Sequence, residues 1–169
     1  MVREYDKPLQ HNLSIVDNFK VFGVLKFNCN LSNSKIMELW YIFIRGVEIR
    51  NKGEWFVRIE GDNEVRQRHL HYLLAGGMTK DSYGELVELI SAWLAYLCLK
   101  HREFDNGSSY IDEYDNNKGG DWYLSKVNRV ELVSERGIGL DSIGRSNWKM
   151  STELKKKIKH NNLNCFNYN

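Results

Sequence analysis

Two short segments constrain the fold of this chain more than any others. Glu54–Glu60 (EWFVRIE) and Arg68–Leu74 (RHLHYLL) are apolar at alternate positions and rich in aromatic and branched side chains. Period-two alternation marks a strand with one face on a core. The connection between them opens with Gly61-Asp62-Asn63 and is short and polar, so an antiparallel hairpin is the natural pairing. Trp55, Val57 and Ile59 then share one face, and Phe56, Arg58 and Glu60 the other. Leu70 enters the core between His69 and His71.

Other elements follow from periodicity and chain breakers. Lys20–Asn28 (KVFGVLKFN) reads as a strand. Ser32 or Ser34 caps a helix through KIMELWYIFIRGVEI, with Ile36, Leu39, Trp40, Phe43 and Val47 on its apolar face. Asn51-Lys52-Gly53 is a turn, and Gly76-Gly77 ends the hairpin. Asp81 caps a long helix, SYGELVELISAWLAYLCLKHREF. Ser108–Tyr114 is a further strand, residues 115–120 are a loop, DWYLSKVN is a short helix and Val130–Ser134 a last strand. The order β-α-β-β-α-β-(α)-β predicts an α+β fold, a central and mostly antiparallel β-sheet with flanking helices.

With 169 residues, one principal domain is expected, over residues 1–137, followed by a basic extension over 138–169 that is helical or mobile. Hydrophobic residues are 42% and charged residues 27%, which excludes a wholly disordered chain. No apolar run reaches the roughly 18 residues of a membrane span, and the first residues are polar. Three scattered cysteines form no CxxC pair, so a disulfide framework and a zinc ribbon are not indicated, and a reducing, cytoplasmic setting is the expectation. Net charge is +2, but Arg145–His160 holds six Lys/Arg and one acid. The body is therefore no general polyanion sponge. Nucleic acid would meet a local groove or this basic tail.

The sharpest local feature is His69-Leu70-His71. On a strand, residues i and i+2 project from one face, so both imidazoles can chelate one divalent ion. Glu60, last before the hairpin loop, can set a carboxylate beside them. Two imidazoles and a carboxylate leave coordination positions open, as catalysis at a metal requires. Without a metal, the pair is simply polarity on a strand face. The second feature is Tyr123-Leu124-Ser125-Lys126. On a helix, i and i+3 share a face, which sets an ammonium beside a phenol and favours the phenolate. A packing tyrosine next to a surface lysine is the plainer explanation.

Taken together, and in this order along the chain, the HxH strand and the Tyr-x-x-Lys helix resemble the HUH endonuclease superfamily. The likeness is greatest to rolling-circle replication initiators with one catalytic tyrosine. IDEYDNNKGGDWYLSKV looks like that family's acidic loop leading into its tyrosine helix, and the resemblance spans roughly Phe19 to Val133. It implies a ferredoxin-like or RRM-like sheet. It implies Mn²⁺ or Mg²⁺ held by His69, His71 and Glu60, with Tyr123 as nucleophile and Lys126 assisting. It further implies nicking and rejoining of single-stranded DNA at an origin or hairpin of a plasmid or virus, through a 5′-phosphotyrosine. The first strand, VFGVLKFN, lacks the threonines usual in the family, and Val127 stands where a second tyrosine would be. No P-loop appears, so a host helicase and polymerase are the expected partners.

Single-stranded DNA calls for aromatic platforms and backbone cations. Arg58, Arg66, Arg68 and Trp122 are the candidates, with Trp55 and Tyr72 as further platforms. Three other readings remain open at this point. One is a small transposase of the same superfamily, marked by a tyrosine acting across a homodimer. Another is a non-catalytic DNA-binding protein with this fold. The third is an unrelated α+β protein whose histidine pair is structural.

Overall fold

The computed structural model describes residues 4–5, 13, 19–115, 126–127 and 148–166. Five strands form one sheet: β2 (Val21–Phe27), β3 (Trp55–Glu60), β4 (His69–Leu74), β5 (Phe104–Glu113) and β7 (Trp148–Met150), in the order β5-β2-β4-β3-β7. Every neighbouring pair is antiparallel. A separate ribbon joins β1 (Glu4–Tyr5) to β6 (Lys126–Val127). The helices are α1 (Asn33–Arg45), α2 (Tyr83–Lys100) and α3 (Thr152–Phe166). The α+β architecture expected from the sequence is therefore the one observed.

One face of the sheet carries the main core. Trp55, Val57 and Ile59 of β3 join Leu70, Tyr72 and Leu74 of β4 beneath α1 and α2. Helix α1 begins where Ser32 accepts a hydrogen bond from the Lys35 N–H, and it buries Ile36, Leu39, Trp40 and Phe43 at helical spacing. Ser82, one residue later than expected, caps α2. Trp40 meets Trp55 and Tyr72 at ring-centroid distances of 5.3 and 5.4 Å. Each large apolar side chain buried in this layer contributes roughly 1.5–3 kcal/mol. The Tyr72 ring lies over Gly23 of β2, where any Cβ would overlap it. Trp55 and Tyr72, expected as DNA platforms, are instead core residues at 5% and 1% exposure.

The opposite face is covered at one end by the C-terminal segment. Leu154 and Ile158 of α3 pack with Phe56, Leu73 and Ala75, and Trp148 stacks on Phe56. The Ser151 hydroxyl accepts from the Trp55 N–H and from the Leu154 N–H, tying the start of α3 to β3. Residues 148–161, expected as part of an appended extension, thus supply an edge strand and a second apolar layer.

Two further expectations change. Strand β5 begins at Phe104, not Ser108, and the β2–β5 register shifts between Val24 and Lys26. Lys126 and Val127 lie in β6, where a helix was expected. The rest of that stretch, including Trp122 and Tyr123, lies outside the described residues, as does Val130–Ser134.

Candidate metal centre

The β3–β4 register sets Glu60 opposite His69 and Arg58 opposite His71. Directly paired residues of an antiparallel ladder share a face, so all four side chains stand together at the loop end of the hairpin. The turn holding that register depends on Gly61 at φ 97°, a conformation that favours glycine. Beyond it, Asp62 Oδ1 accepts from the N–H groups of Glu64, Val65 and Arg66 at 2.9, 3.0 and 3.3 Å. Asn63 Oδ1 accepts from the Arg68 N–H, immediately before β4.

Glu60, His69 and His71 are each only 4% exposed. Glu60 Oε2 lies 3.3 Å from His71 Nε2 and 3.7 Å from His69 Nε2. One ligand atom from each residue falls within 4.8 Å of the others. Metal–ligand bonds of about 2.0–2.2 Å place neighbouring donor atoms about 3.0–3.6 Å apart, so the cluster closes around an ion with small side-chain shifts.

The protonation of His69 sharpens this. Its Nδ1 lies 3.0 Å from the Gln67 carbonyl oxygen, which can only accept, so Nδ1 carries the hydrogen. Burial lowers the ring's pKa to about 4, making it neutral at pH 7. Nε2 therefore presents a lone pair to a carboxylate oxygen, with no hydrogen-bond partner of its own. Two electron-rich atoms facing each other in a buried setting suit a shared cation. Glu60, His69 and His71 form a buried cluster that can hold a metal ion.

Arg58 is buried beside this cluster at 3% exposure, with Nε 4.0 Å from Glu60 Oε1. Its surroundings are those of a partner to Glu60, not of an exposed DNA contact. Arg66 and Arg68 instead line an open cleft of about 240 Å³ that runs up to His69, together with Lys26, Gln67, Asp105 and Ser108. The sequence points to the two arginines but not to Lys26 or Asp105. The signal available for Asp105 was Asp105-Asn106-Gly107-Ser108, a side-chain-capped turn in which Asp105 Oδ1 accepts from the N–H groups of Gly107 and Ser108.

Searches against protein-family models, curated proteins and solved structures give no match. The chemistry of the cluster therefore carries the functional reading. Among the described residues, no helix is long and apolar enough to cross a membrane.

Proposed function

We propose that this protein is a metal-dependent DNA-nicking and joining enzyme of the HUH type, acting on single-stranded DNA to start rolling-circle replication. The observation that carries the reading is the buried Glu60–His69–His71 cluster, with its two imidazoles and one carboxylate on neighbouring strands. This donor set suits Mn²⁺ and later first-row ions better than Mg²⁺, which prefers oxygen ligands. A bound ion would supply charge stabilisation at the scissile phosphate.

In this reading the Tyr123 oxygen attacks phosphorus, the bond to the 3′ oxygen breaks, and the 3′-OH leaves after taking up a proton. The 5′-phosphate stays on Tyr123, so the bond energy is kept for rejoining. Lys126, which lies in β6 and not on a helical turn with Tyr123, offsets phosphate charge in this reading. His69 and His71 would supply the nitrogen ligands and Glu60 the carboxylate, with Arg58 beside Glu60 within the buried cluster.

The test uses labelled single-stranded oligonucleotides from the protein's own replicon, with Mn²⁺, resolved on a denaturing gel. A covalent adduct is expected, lost with Tyr123→Phe and lost with EDTA. Binding with no adduct would instead support a non-catalytic DNA-binding protein. An adduct that survives Tyr123→Phe would move the nucleophile, with Tyr114 or Tyr110 next in line. Tyr110 is 51% exposed and pairs with Val24, which itself pairs with His71, so it lies on the metal-bearing face about 9–10 Å from that strand.

A further inference from the structure

We infer that the cleft beside His69 holds the sugar–phosphate backbone of the DNA strand, through Lys26, Arg66 and Arg68 and without help from a metal. The inference rests on the reading of single-stranded DNA as substrate and says where that strand lies. The cleft gathers cations from two separate elements: Lys26 from β2, and Arg66 and Arg68 from the β3–β4 loop. Against these three stands one acid, Asp105. Its carboxylate accepts from the Gly107 and Ser108 N–H groups, and it stands opposite Lys26 in the β2–β5 ladder, so it offsets part of that lysine's charge. Neither guanidinium forms an ion pair among the described residues.

The loop is built in advance of any ligand. Asp62 and Asn63 fix its backbone, and Asn63 Nδ2 anchors it to the Leu31 carbonyl at 2.9 Å. The Arg68 guanidinium donates to the Gly61 and Leu31 carbonyls, each at 3.4 Å, which orients it without neutralising its charge. A fixed set of cations recognises a regularly spaced polyanion at low ordering cost. His69 belongs both to the cleft and to the metal cluster, so a strand with one phosphate at the cluster extends directly into the cleft.

The competing cationic surface is α3. There Lys156 is paired with Glu153 at 2.9 Å and Lys157 with Glu54 at 3.0 Å, which leaves Lys155 and Lys159 on the solvent side. Net of Asp105 the cleft also keeps two cations, and these, unlike the α3 lysines, line the groove that reaches His69 of the metal cluster.

Fluorescence anisotropy of a labelled oligothymidylate, in EDTA and over about 50 to about 200 mM salt, tests this. Lys26→Ala and Arg66→Ala should each weaken binding and reduce the slope of log K against log salt by about 0.7. Asp105→Asn, which keeps an acceptor for the turn, should tighten binding. The Lys155→Ala/Lys159→Ala double variant should leave the slope unchanged, and circular dichroism melts confirm that each variant is folded. The inference is overturned by an unaltered slope in the two cleft variants, by a slope lost with the α3 variant, or by wild-type protein that does not bind. EDTA excludes nicking from this readout, so a failure here is distinct from a missing adduct.

Discussion

At the scale of single residues, the histidine pair was the most legible feature of the chain. Two-residue spacing on a strand and a hairpin of fixed register are enough to bring His69, His71 and Glu60 together, and both can be read from alternation and turn chemistry. The burial of Arg58 was not legible. Alternation puts it on the face of Glu60, but what covers that face depends on residues far along the chain. The cluster makes a direct prediction. An ion that binds only the folded state at about 100 times its dissociation constant adds about 2.7 kcal/mol. For a chain of this size that raises the melting temperature by about 5–10 °C. Mn²⁺ should produce such a rise in wild-type protein, and Glu60→Gln or His71→Ala should reduce it strongly. Differential scanning fluorimetry across Mn²⁺, Co²⁺ and Zn²⁺ reads this. A melting temperature indifferent to all three ions would count against a metal centre.

At the scale of elements, strands and helices with long apolar periods were legible in the sequence, though both long helices end four residues before the expected Ile49 and Phe104, and capped irregularities were not legible. Strand β5 was placed four residues late because Asp105-Asn106-Gly107 has turn composition. In the fold those residues form a capped irregularity within the strand, with the Ser109 hydroxyl accepting from the Lys26 N–H where the register slips. Lys126–Val127 failed for a different reason. A two-residue strand has no period to detect, and its partner Glu4–Tyr5 lies at the other end of the sequence. The β3–β4 loop belongs at this scale too, and its order depends on pH. The Glu64 N–H, and then those of Val65 and Arg66, hold the Asp62 carboxyl below its usual value. A depressed folded-state value means the contribution is complete above the ordinary carboxylate pKa of about 3.9 and is lost as pH falls through the folded value. The backbone amide signals of Glu64, Val65 and Arg66 should therefore hold steady from neutral pH down to about pH 4 and move together below it. Asp62→Asn, which keeps the acceptor oxygen, should abolish that movement. A midpoint at or above the ordinary value would show that the cap does not form in solution.

At the scale of the whole molecule, both faces of the sheet need cover, and the second cover comes from the segment that reads as least structured. Arg145–His160 carries a charge of +5 from six bases and one acid, which suggests a solvated tail. Only Leu154 and Ile158 mark an apolar stripe, and two residues at i and i+4 cannot be told from a solvated helix by periodicity. Yet these two close the layer over Phe56, Leu73 and Ala75, while β7 covers the outer edge of β3, the strand that carries Glu60. Without them that edge would present unpaired backbone groups beside an apolar face. Leu154 is fully buried, so Leu154→Ala should cost about 2–5 kcal/mol of stability. Its neighbours lie at the Phe56–Leu73 end of the sheet face, whereas the metal cluster lies at the loop end of the same hairpin. The variant should therefore unfold at lower denaturant concentration while its folded form binds Mn²⁺ as the wild type does. His71→Ala should show the reverse balance, with metal binding lost more than stability. Urea unfolding followed by tryptophan fluorescence, set beside Mn²⁺ titration of the same samples, separates the two. If Leu154→Ala leaves the unfolding midpoint where it was, α3 does not rest on this sheet in solution.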